Sequence, residues 1–222
     1  MGILLLVSCT STYYRALETV GIEKRDILVD RIDDARGAQT DAKEQFSSAL
    51  EQYRSVIDFD GGDLEKVYDR LNAEYKRSDN RAKAVRERID RVEKVAEDLF
   101  EEWEDEIDAY SDPDLASQSQ RLLSDTRSDY SNVLDAMHRA EQTMDPVLTL
   151  FNDQVMFLRH NLNARAIGAL EDELFSLEQA TATLIEEMER AIAEASRFIE
   201  AMPRDSGGSA GGLAANVSGT ND

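Results

Sequence analysis

The chain has 222 residues, of which 46 are acidic and 25 basic, for a net charge of −21. A surface so acidic repels phosphate backbones and anionic headgroups, which excludes nucleic acid as an expected partner. No stretch of about 20 apolar residues occurs, so no membrane-spanning helix is expected.

Only 3 Pro and 11 Gly are present, and Gly207, Gly208, Gly211, Gly212 and Gly219 cluster near the end. The rest of the chain is almost free of helix breakers. Charged residues make up 32% and are interleaved with apolar ones, the pattern of long helices with a narrow buried stripe and a broad solvated surface. The acidic excess is spread along the chain and reads as surface solvation suited to a salty environment.

At the amino terminus, Leu6-Val7-Ser8-Cys9 fits a bacterial lipobox: an aliphatic residue, a tolerant position, a small residue, then Cys. Residues 1–8 read as a partial lipoprotein signal peptide and Cys9 as the lipidation site. Acyl chains contribute about 0.8 kcal/mol per buried CH₂, so two or three together anchor stably. Thr10 rather than Asp follows Cys9, which leaves the outer membrane, facing the periplasm, as the expected location. No Lys or Arg precedes Cys9, so the signal is incomplete and translation is expected to start upstream of Met1. Cys9 is the one cysteine, so no internal disulfide is possible.

Residues 9–22 form a tether with Tyr13, Tyr14, Leu17 and Val20 at roughly helical spacing, interrupted by Gly21. A first long helix starts near Glu23 or Lys24. Its seam is Leu28, Ile32, Ala35, Gln39, Ala42, Phe46, Ala49, Tyr53 and Val56, alternating steps of four and three. Gln39 is the one polar seam position, which fixes register at some cost in stability.

Asp58-Phe59-Asp60-Gly61-Gly62-Asp63 is a turn that ends in a helix cap. Its three aspartates do not continue into the twelve-residue ligand spacing of a calcium loop. The next helix runs from Asp63 to Tyr110 with a stripe of Leu64, Val67, Leu71, Tyr75, Ala82, Val85, Ile89, Val92, Ala96, Leu99, Trp103, Ile107 and Tyr110. Ser111-Asp112-Pro113 is the second turn, with Asp112 or Ser111 as cap and Pro113 in the first helical turn.

The third stripe is Leu115, Leu122, Thr126, Tyr130, Val133, Met137, Ala140, Met144, Leu148, Phe151, Val155, Leu158 and Leu162. Pro146 predicts a kink within it. Val147 to Leu158 is so apolar that it reads as the best-buried part of the molecule. The last stripe is Leu170, Leu174, Leu177, Thr181, Leu184, Met188, Ala191, Ala195 and Phe198. Asn161, Asn163 and Gly168 favour a turn between the two, although apolar residues keep step in fours straight through. The resulting segments, about 36, 48, 48 and 38 residues long, match well enough to fold on one another. The expected fold is therefore all-α, an elongated antiparallel bundle or coiled coil of three to four long helices over residues 23–202. Residues 203–222 read as a disordered Gly- and Ser-rich tail.

Chemistry-bearing constellations are sparse. Asp135-x-x-His138 has the carboxylate–imidazole spacing of a di-iron bundle, but Phe157 stands three before His160, so no metal is expected. No nucleophile–base arrangement or phosphate-cradling glycine loop occurs, and neither a catalytic residue nor a cofactor is implied. Trp103 reads as core. Arg159, His160, Asn161, Asn163 and Arg165 form the densest polar cluster beside an apolar run. They are the candidate partner contact, set against a plain role in capping and turn formation.

Four strings carry a family resemblance: Gly21-Ile22-Glu23-Lys24-Arg25-Asp26-Ile27-Leu28-Val29-Asp30-Arg31, Ala42-Lys43-Glu44-Gln45-Phe46, Gly61-Gly62-Asp63-Leu64 and His160-Asn161-Leu162-Asn163-Ala164. From about Tyr13 to Met202 the chain resembles the bacterial coiled-coil lipoprotein family catalogued as domain of unknown function 2959. The resemblance implies a helical Gram-negative envelope protein with no established activity. Names borrowed from DNA-repair ATPases, used for some members, fit neither the charge nor the missing nucleotide loop here.

The expected function is thus a non-catalytic envelope lipoprotein, a periplasmic scaffold or interaction module held in the membrane through Cys9. Its expected partner is an unidentified envelope protein, with self-association through the seams as a further possibility. The alternatives are a soluble cytoplasmic coiled-coil protein and, more remotely, a metal-dependent bundle enzyme.

Overall fold

The computed structural model describes residues 24–57, 64–161 and 164–202. Residues 1–8, the tether with Cys9, the Asp58–Asp63 turn and the 203–222 tail lie outside these described residues. Among the described residues the chain forms four α-helices: α1 (Lys24–Ile57), α2 (Leu64–Ala109), α3 (Pro113–His160) and α4 (Ala164–Ala201). Their 34, 46, 48 and 38 residues correspond to rods of about 50 to 70 Å.

Each helix packs on two neighbours, α1 and α3 both lying between α2 and α4. Polar pairs fix the directions. Between α1 and α4, Arg36 meets Ser196, Lys43 meets Glu189 and Arg54 meets Glu178. Each step along α1 is matched by an equal step back along α4. Between α2 and α3, Arg86 meets Asp145, Glu93 meets His138 and Glu104 meets Arg127. Lys24 meets Glu102 and Asp41 meets Arg81 between α1 and α2. The result is an up-and-down antiparallel four-helix bundle. One end carries the start of α1, the α2–α3 turn and the end of α4. The opposite end carries the α1–α2 connection and the α3–α4 turn.

The seams read from the sequence line the core. Every α1 seam position from Leu28 to Val56 is buried, Gln39 included. Tyr53 ties three helices together: its hydroxyl donates to the Leu170 carbonyl at 3.1 Å, and its ring lies 5.8 Å from that of Phe151. Burial, with the charge of Glu173, pushes that hydroxyl's pKa well up.

Three details differ from expectation. Between Leu71 and Ala82 the α2 seam passes through Glu74 and Ser78, while Tyr75 is half-buried beside it. Steps of three, four and four carry the seam through those positions despite their polarity, and Gln45 satisfies Glu74 from α1 at 2.7 Å. In α3, Leu123 is buried and Leu122 is 60% exposed. Leu123, Thr126, Tyr130 and Val133 keep the regular alternation, whereas Leu122 falls outside it. Val147 to Leu158 buries one face like the rest of α3, leaving Met156 and Phe157 exposed.

The turns follow local chemistry. Asp112 caps α3, its Oδ1 accepting from the backbone N–H groups of Asp114 at 2.8 Å and Leu115 at 3.4 Å. Pro113 follows at the first helical position, where its missing N–H costs nothing. Pro146 stands on the exposed face and does not end the helix. The expected turn between the last two helices is present: α3 ends at His160 and α4 begins at Ala164.

Candidate functional site

The α3–α4 turn holds the polar cluster singled out in the sequence. Arg159 and His160 occupy the last turn of α3 and are both exposed, and the Arg159 guanidinium there faces the negative end of the helix dipole. Asn161 is the C-cap at φ −131° and ψ 56°, outside the left-handed region. Its N–H donates to the Leu158 carbonyl at 3.1 Å and its Nδ2 to the Phe157 carbonyl at 2.9 Å. Asn161 therefore has a capping task. Asn163 lies outside the described residues; Arg165 is in the first turn of α4, and its side chain lies outside them too. Met156 and Phe157, one turn before Arg159 and His160, are 50% and 39% exposed. This end thus joins exposed apolar area to two basic side chains on an otherwise acidic molecule.

The opposite end holds a feature that sequence reading missed. A cleft of about 710 Å³ is lined by Lys24, Arg25, Trp103, Tyr110, Leu115 and Leu122 among others. Trp103 is half-buried against the core margin rather than enclosed by it. Its indole N–H donates to Ser119 Oγ at 2.8 Å, and the Arg25 guanidinium stands 6.0 Å from the ring. Tyr110, Leu115 and Leu122 are 46%, 49% and 60% exposed. The cleft lies where α2 and α3 run on beyond the end of α4. The unequal segment lengths were the available signal, but lengths alone do not reveal the stagger.

Along the α2–α3 seam, His138 Nε2 lies 2.8 Å from Glu93 and Nδ1 lies 3.2 Å from Glu141. Arg86 in turn reaches Glu141 at 3.4 Å and Asp145 at 2.5 Å. Desolvation opposes charge on the imidazole, yet hydrogen bonds to Glu93 and Glu141, and their charges, outweigh it and raise the pKa. Asp135, three residues before His138, is exposed. Among the described residues, no three His, Cys, Asp or Glu side chains converge as a metal site requires. No described helix is long and apolar enough to cross a membrane.

Four amphipathic helices laced by ion pairs, with an open cleft at one end and a basic tip at the other, define an elongated helical-bundle protein. Residues 13–202 match the family described as "Protein of unknown function (DUF2959)". The chain belongs to that family. No curated protein matches the chain.

Proposed function

We propose that the chain is a non-catalytic lipoprotein of the cell envelope, held in the outer membrane through lipidated Cys9, with its bundle in the periplasm as a scaffold for an envelope partner. The observation that carries this reading is Leu6-Val7-Ser8-Cys9, a lipobox ahead of a bundle with two unlike ends. The start of α1, nearest in sequence to Cys9, lies at the cleft end. The α3–α4 turn, with Arg159 and His160, lies at the other, about 70 Å away along α2. A rod of this kind displays its tip at a fixed height above the surface that holds its foot.

Palmitate labelling in cells tests the anchor. The wild type is expected to take label and to fractionate with outer membrane, and Cys9→Ala to lose both. Equal labelling of the two sinks the proposal. A wild-type chain recovered wholly in the cytosol favours a soluble coiled-coil protein instead.

A further inference from the structure

We infer that the bundle binds one water molecule inside its core, bridging the hydroxyls of Ser78 on α2 and Thr181 on α4. Both residues are 1% exposed. Neither Ser78 Oγ nor Thr181 Oγ1 has a hydrogen-bond partner among the described residues. Both line the same small cavity, about 10 Å³ in volume, to which all four helices contribute. The rest of its lining is apolar, with Phe46 and Ala49 from α1, Phe151 from α3 and Leu177 from α4.

Size and chemistry select the occupant. A space of about 10–15 Å³ holds one water and nothing larger. No charged side chain lines the cavity, so an ion there would be left uncompensated. A wholly apolar void of this size stays dry, but a buried water needs only about two or more polar partners, and the two hydroxyls supply them. Each hydroxyl can donate to the water or accept from it. Left bare, both carry the desolvation penalty of a buried polar group; a single water relieves both and gives up only its own freedom. Gln39, also buried without a partner, does not line this cavity and takes no part.

The bridge also crosses the bundle. The α1 helix packs on both α2 and α4 and runs antiparallel to each, so those two are parallel and face one another across the core diagonal. The water therefore links two helices that are not packing neighbours. It links them in one register: a slip of one turn that sets Ser78 level with Leu177 sets Thr181 level with Ala82, and the shared water is lost.

Oxygen-17 magnetic relaxation dispersion on the full chain counts long-lived waters, with water itself as the probe. The wild type is expected to hold one more of them than the double variant Ser78→Ala, Thr181→Val, whose helicity circular dichroism should find unchanged. A crystal structure of the wild type should show one solvent peak within hydrogen-bond distance of both oxygens. The urea midpoint should fall in each single variant, and in the double variant by less than the sum, because either substitution already breaks the bridge. Equal dispersion in the wild type and the double variant overturns the proposal, as do midpoint shifts that simply add. So does a crystal structure in which the hydroxyls donate to the Glu74 and Leu177 carbonyls, one turn back on their own helices, around a dry cavity.

Discussion

Gln39 is fully buried in the α1 seam, and neither its side-chain oxygen nor its nitrogen has a hydrogen-bond partner. An unsatisfied buried amide costs about 1–3 kcal/mol. Gln39→Leu, of similar volume, is therefore expected to raise the unfolding free energy by about that amount, measured by urea titration. A fall in stability would mean that the amide is satisfied in solution. His138 makes a second prediction. Its folded pKa is raised from 6.5, so its contribution to stability is fully present below about 6.5 and lost as pH rises through the higher folded value. His138→Gln should flatten this part of the stability–pH curve, with the two proteins converging at higher pH. Parallel curves would count against the Glu93–His138–Glu141 contact. At this scale the seam was legible wherever it is apolar, because period alone identifies Leu28 or Val85. Glu74 and Ser78 were illegible because their burial follows from position between Leu71 and Ala82, not from their own chemistry.

The helices were readable because what starts and stops them is local. Asp112 and Pro113 announce the start of α3, and Asn161 marks its end, each through groups within four residues. Removing the Asp112 cap should therefore be felt first in the opening turn of α3. Asp112→Ala is expected to cost about 1 kcal/mol, with amide exchange at Asp114 and Leu115 accelerating before the rest of the helix. Uniform acceleration along α3 would show that the cap acts on global stability alone. The register of Leu122 and Leu123 was not legible in the same way. Both are leucine, and both fit a helical stripe from Thr126 onward. What separates them is the step to Thr126: three from Leu123 keeps the alternation that continues to Tyr130 and Val133, and four from Leu122 does not. Trp103 misleads in the same way, since on a regular seam position it looks like core until its ring is seen half-buried at the bundle margin beside Ser119.

Across the whole molecule, charge is the main influence outside the core. Ion pairs join every pair of neighbouring helices, as at Lys24–Glu102, Arg127–Glu104, Arg139–Glu187 and Arg54–Glu178. Most are exposed, so each contributes little singly. They leave the net charge of −21, whose self-repulsion works against the compact state. Lowering monovalent salt from about 0.15 M to about 0.01 M lengthens the screening distance from about 8 to about 30 Å. The urea midpoint is expected to fall over that range. An unchanged midpoint would mean that the pairs locally cancel the repulsion.

The up-and-down path of the chain also sets how the rod carries load. A pull applied at the α3–α4 tip and resisted at Lys24 runs parallel to every helix axis. It strains the side contacts between neighbours in shear, all together, so that the load is shared. A pull between Lys24 and Ala201, which lie at the same end, instead peels α1 from α4 like a zipper, one turn after another. The same bundle is therefore stiff in the direction from foot to tip and yielding in the direction that separates its own two strands.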